Sequence, residues 1–225
     1  MFGILETIDP FTILLALLPL IGYLLVISMI RLSGRALVTS GGRDVAAIAM
    51  AISGLLAVGP AELFFPTAAA TVFGPVVWVA LAIFYALCTT LVALTTTPRL
   101  VIYGRTPEEL FEPLLAAAKE IDPQASGDIR TLLVRLPQAG VHLRLDGQRS
   151  IDNAQVLAFE PNISIRFWRK LLVNLRQQVG MRASPMPRRG LAMLVVVMFL
   201  CSILLWQSLG NRELVVEGFR DWLWR

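Results

Sequence analysis

Charge is what this chain has least of. Lys, Arg, Asp and Glu make up 16% of its 225 residues and the hydrophobic set 56%, whereas a soluble globular protein carries roughly 25% charge. That balance excludes an ordinary water-soluble domain and points to a membrane protein. Cysteine is nearly missing. Cys88 and Cys201 both fall within apolar runs, where a free thiol behaves as a small hydrophobe, so no disulfide framework and no thiolate metal site are expected. Histidine occurs once, at His142.

Recognisable catalytic and cofactor signatures are missing too. The chain contains no GxxxxGK[ST], GxGxxG, HExxH, paired CxxC or GxSxG, which removes the usual pattern-level grounds for a nucleotide, dinucleotide, zinc-protease, redox or serine-hydrolase site. His142, Ser150 and Asp146 or Asp152 supply the residue types of a triad, but they cluster around one expected hairpin without a nucleophile elbow or oxyanion-forming turn. His142 therefore reads as a residue on an exposed strand face. Glu108, Glu109 and Glu112 occupy the first turns of an expected helix, where acids complement the macrodipole. No cofactor and no catalytic residue is expected, and the protein reads as non-enzymatic.

What the chain has is long apolar runs. Residues 11–30, 45–65, 76–94 and 191–209 are each long enough to cross a hydrocarbon core of about 30 Å at 1.5 Å per residue. In the first, Pro19 and Gly22 are read as a kink or a point of close helix approach. The acids Glu6 and Asp9 before it argue against a cleaved signal peptide. The second carries small residues, Ala46, Ala49, Ser53 and Ala57, at spacings of three and four, a face suited to close packing in lipid. Gly59-Pro60 weakens its far end, and Glu62 reads as an interfacial residue.

Residues 98–189 form the one long interval without such a run, and they carry 14 basic against nine acidic residues. Four spans with this interval inside the cell put 17 of the 20 Lys and Arg on the cytoplasmic side, as the positive-inside rule requires. The N- and C-termini are then outside. The net charge of +4 has this topological meaning, and no nucleic acid is expected as a partner. Asn162-Ile163-Ser164 matches a glycosylation sequon that cytoplasmic placement would leave unused.

Within the interval, LVIYG at 100–104 reads as a strand. Thr106-Pro107-Glu108-Glu109 reads as a capping box opening a helix that runs to about Ile121. Strands are expected at 131–136, 141–145 and 154–159. Val141, Leu143 and Leu145 alternate with His142, Arg144 and Asp146, as on a strand wet on one face. A second helix, 164–179, has Ile165, Trp168, Leu172, Leu175 and Val179 on one side and Arg166, Arg169, Lys170 and Arg176 on the other.

The expected fold class is thus a membrane all-α protein of four transmembrane helices, with an inserted small α+β cytoplasmic domain of order β-α-β-β-β-α. The expected parts are residues 1–97, the domain at 98–185, and 186–225, which ends in an amphipathic helix lying in the interface. The basic helix face, joined by Arg182, Arg188 and Arg189 in the linker, is the expected contact with anionic lipid or a partner. The functional expectation is a scaffold or docking protein. Its expected partners are membrane lipids and either another membrane or cytoplasmic protein or a second copy of itself. The alternative is an accessory subunit of a membrane transport or export complex, packed through Ala46, Ala49, Ser53 and Ala57.

Overall fold

The computed structural model describes residues 10–59, 73–74, 76–148, 152–180 and 189–224. The elements run in the order α1 (Pro10–Leu32), β1 (Leu37–Ser40), α2 (Gly41–Val58), α3 (Val76–Thr95), β2 (Leu100–Tyr103), α4 (Pro107–Lys119), β3 (Ser126–Asp128), β4 (Leu133–Leu136), β5 (Val141–Gln148), β6 (Asn153–Ala158), α5 (Ile165–Gly180), α6 (Arg189–Gly210) and α7 (Arg212–Trp224). The chain divides into two units, residues 1–26, 45–92 and 192–225 in one, residues 27–44 and 93–191 in the other.

In the first unit, α1, α2, α3 and α6 are each long and apolar enough to cross a membrane, which suggests a membrane protein. The described part of α2 ends at Val58, one residue before Gly59-Pro60, and Glu62 lies outside the described residues. Close helix approach occurs at Gly54 of α2. A Cβ there would overlap the Leu15 carbonyl oxygen of α1 and come within 2.8 Å of that of Ala16. Gly22, the expected site of such approach, has nothing within 4 Å of its own Cβ position. Side-chain volume decides this. Gly54 and the buried Ala51 leave a groove shallow enough for the α1 backbone, as small residues do between apolar helices. The Tyr85 hydroxyl of α3 donates to the Ala49 carbonyl at 2.7 Å. On α7, Phe219 meets Phe11 of α1 edge to face, with ring centroids 5.8 Å apart.

The second unit is a six-stranded antiparallel sheet in the order β1-β2-β6-β5-β4-β3, with α4 and α5 against one face. Two strands depart from the expected β-α-β-β-β-α order. β1, in the Arg- and Gly-containing segment after α1, is too short to display a period, yet it pairs residue for residue with β2 from Leu37↔Tyr103 to Ser40↔Leu100. β3 is the exposed tripeptide Ser126-Gly127-Asp128, invisible to apolar patterning and held by pairing with β4. The sheet unit therefore draws on residues before α2 as well as on the interval after α3.

On β5, Val141, Leu143 and Leu145 are buried while His142, Arg144 and Asp146 are exposed. The buried side joins Leu100, Ile102, Val134, Leu136 and Val156 in one core with Leu110 and Leu114 of α4 and Trp168, Leu171 and Leu175 of α5. The α4 helix opens with the capping box: Thr106 Oγ1 accepts from the Glu109 N–H, and Glu109 Oε2 accepts from the Thr106 N–H. Asp122, 1% exposed, ties two turns together. Its Oδ1 accepts from Gln124 N–H at 2.9 Å, and its Oδ2 from Gln138 N–H at 2.8 Å.

Candidate functional site

The site is built where β1 passes into α2. Ser40 ends the strand, and Gly41-Gly42-Arg43 opens a helix of 18 residues. The first turn of any helix carries backbone N–H groups that the helix itself cannot satisfy, together with the positive end of the macrodipole. The Gly41 N–H donates to the Arg99 carbonyl at 2.8 Å. Glycine fits this close approach: a Cβ on residue 41 would lie 2.7 Å from Arg99 Cγ, and the arginine side chain would have to shift. The Arg99 stem thus lies across the helix start. Asp44, the acid of that turn, is 6% exposed and accepts from the Tyr103 hydroxyl at 2.5 Å.

Around this junction is a cavity of about 430 Å³, lined by Ser40 to Arg43, by Ala93, Leu94 and Thr96 to Leu100, and by Ile163, Ile165, Trp168, Arg169 and Leu172. Its size falls in the range of small-ligand sites. Three arginines, Arg43, Arg99 and Arg169, line it, and no carboxylate does among the described residues. Two of the lining residues, Arg99 and Trp168, carry side-chain nitrogens, Nε and Nε1, that are buried without a hydrogen-bond partner among the described residues. Orphaned buried donors are costly, about 1 to 3 kcal/mol each, and such groups call for an ion, water or ligand.

On α5, Ser164 Oγ accepts from the Phe167 N–H at 3.3 Å at the helix start. Arg166, Arg169 and Lys170 are exposed, and of these Arg169 reaches the cavity. Arg176 is engaged elsewhere. Its Nε and Nη2 donate to the Val38 carbonyl of β1 at 3.1 and 2.9 Å. Arg182 and Arg188 lie outside the described residues, and Arg189 begins α6. On α2, Ala46 is exposed, while Ala49, Ser53 and Ala57 are half-buried.

The triad types are not brought together. His142 Nδ1 lies 2.7 Å from Glu160 Oε1, and the His142 N–H donates to Glu160 Oε2 at 3.0 Å. Burial pulls the Glu160 pKa upward, but the hydrogen bonds from the His142 backbone and ring outweigh it and hold the carboxyl below its ordinary value. Asp146 Oδ1 accepts from the adjacent Gly147 N–H, and Ser150 lies outside the described residues. Among the described residues, no group of three His, Cys, Asp or Glu side chains is arranged to hold a metal.

Sequence reasoning missed Arg43 and Arg99 as members of one site. The available signal was the Ser-Gly-Gly-Arg run opening an apolar helix, which reads as a helix start bare enough for an anion to approach. No protein-family model, curated protein or solved structure matches the chain.

Proposed function

We propose that this is a non-enzymatic integral membrane protein whose α+β unit lies on the cytoplasmic side and docks against the inner membrane surface. The observation that carries the reading is a set of cations, on α5 and around the cavity, for which no ion pair is found among the described residues. Arg166, Arg169 and Lys170 are exposed on α5, and Arg43 and Arg99 share a carboxylate-free cavity with Arg169. Beside an anionic leaflet each such residue gains about 1 kcal/mol. The unit holds the four chain junctions with the apolar helices, after α1, before α2, after α3 and before α6. Tethering at four points keeps the surface near the bilayer and lowers the entropy lost on docking. The contact of Phe11 of α1 with Phe219 of α7 supports α7 lying beside the start of α1, as the reading with both termini outside requires.

A photo-crosslinking residue placed at Arg166, with the full chain in a bilayer containing anionic lipid, tests the reading. Lipid adducts at that position are expected, diminishing as salt is raised. A protein adduct in their place would make the docked surface another protein. Reporter fusions within residues 98–189 and at Arg225 test the topology, and a cytoplasmic signal from the second would refute four spans with outer termini.

A second reading, an accessory subunit of a transport or export assembly, is favoured by α3, which has no buried residue along its 20-residue length. Adducts from a crosslinker at Ala46 or Ala57 to another integral protein would support it.

A further inference from the structure

We infer that the cavity at the β1–α2 junction is a binding site for the phosphate of an anionic phospholipid headgroup, an inference that rests on the docking reading above. Three features of the cavity call for an anion. Arg43, Arg99 and Arg169 line it with no lining carboxylate among the described residues, and like charges around one cavity favour a counter-ion. Arg99 also lies across the N-terminal end of α2, with its Cγ 2.7 Å from where a Gly41 Cβ would be. A cation is thereby set against the positive end of a helix dipole, an arrangement that an anion between them would turn from repulsive to favourable. Finally, two of the residues that line the cavity carry buried donors with no partner among the described residues, Arg99 Nε and the Nε1 of Trp168, which is 7% exposed.

Asp44 offsets part of the α2 dipole from within the first turn, but it is not placed to pair with the cavity arginines. Its carboxylate is turned to Tyr103, and it does not line the cavity. Phosphate suits the donor set better than a carboxylate does. It offers more acceptor oxygens to several guanidinium groups, which bind it in two-pronged fashion, and helix N-termini bind it readily.

The source of the phosphate follows from the rest of the lining. Leu94, Leu100, Ile163, Ile165 and Leu172 present apolar surface beside the arginines. A free phosphate ion would leave that surface in water, whereas the glycerol and first acyl carbons of a lipid would cover it. Leu94 belongs to the end of α3, and Gly41 and Gly42 to the start of α2. Under the docking reading these helix ends lie at headgroup depth.

Native mass spectrometry of the full chain, released from nanodiscs holding phosphatidylglycerol and phosphatidylcholine in equal amounts, tests the assignment. The wild type is expected to retain phosphatidylglycerol preferentially. Arg99→Gln and Arg169→Gln should each reduce that retention about tenfold, and Trp168→Phe, which keeps the ring and removes the donor, by a few-fold. Arg130→Gln and Arg144→Gln, exposed on the same unit but outside both the cavity and the basic face of α5, should change it less than about twofold. Arg169 is exposed, so its variant keeps the assignment testable should Arg99→Gln fail to fold. Equal losses for the cavity and non-cavity variants would overturn the site while leaving surface docking intact. Retention of phosphatidylcholine to the same degree would overturn it as well. Binding of inorganic phosphate that is lost in Arg99→Gln, with no lipid retained, would reassign the cavity to a soluble phosphate ester and overturn the lipid. Docking itself fails separately, by the absence of lipid adducts at position 166.

Discussion

Replacing Arg176 by methionine separates a structural arginine from a binding one. By sequence this residue belongs with Arg166, Arg169 and Lys170 on a basic helix face, and its loss should then weaken lipid contact as theirs does. The geometry assigns it different work. Two of its nitrogens donate to the Val38 carbonyl at 3.1 and 2.9 Å, closing the outer edge of β1, a strand of four residues whose one sheet neighbour among the described residues is β2. Charge-assisted hydrogen bonds contribute about 1.5 to 3 kcal/mol. Partial exposure of this contact and methionine's retention of the aliphatic stem reduce the expected cost to about 1 to 2 kcal/mol. Local opening of β1 should then increase about five- to thirty-fold. Hydrogen exchange of the peptide covering residues 37–40, in the full chain in nanodiscs, reads that opening directly. Faster exchange of this strand, with lipid retention changed less than about twofold, is the expected pair of results. Unchanged exchange together with a loss of lipid as large as that of Arg169→Gln would refute the argument.

Three further outcomes follow from other contacts. Asp122→Asn puts an amide NH₂ against one of two buried N–H donors and should cost about 1 to 3 kcal/mol, read as a lower denaturation midpoint. Gly54→Ala should destabilise the helical unit by about 1 to 3 kcal/mol through overlap with the Leu15 carbonyl, while Gly22→Ala, with nothing within 4 Å, should not destabilise it. Thermal unfolding in detergent compares the two. Because the folded-state pKa of Glu160 lies below the ordinary 4.5, its pairing with His142 stabilises above about pH 4.5 and is lost as pH falls through the folded value. Glu160→Gln should flatten that part of the acid-unfolding curve and, since the pair is partly exposed, cost less than about 1 kcal/mol at neutral pH.

What could be read from the sequence was whatever repeats at a fixed period. The apolar helices, the capping box at Thr106 and the alternation of Val141, Leu143 and Leu145 each leave several residues at regular spacing, and each corresponds to an element of the structure. β1 and β3 leave no such trace. Strands of four and three residues are stabilised by cross-strand pairing more than by their own composition. β1 depends on a partner more than fifty residues away, as the register Leu37↔Tyr103 records. The same limit explains Gly22 and Gly54. Both are glycines in apolar helices, and the facing backbone alone determines which one is needed.

The cavity is the sharper case, because its composition looks ordinary in each of its three pieces. Arg43 reads as a positive-inside loop residue, Arg99 as the flank of a span, and Arg169 as one cation of a solvated helix face. β1 brings them together. By pairing with β2 it fixes the Ser40-Gly41 corner against Leu100, and so sets the start of α2 beside Arg99, where the Gly41 N–H meets the Arg99 carbonyl. The strand hidden from sequence patterning is therefore the element that assembles the arginines, and Arg176, which holds that strand's open edge, supports the site without touching it. Loosening β1 through Arg176→Met should weaken lipid retention only as far as the junction opens. Arg99→Gln should weaken it with the exchange of β1 unchanged. The two measurements, made on one set of variants, separate the assembly of the site from the binding it performs.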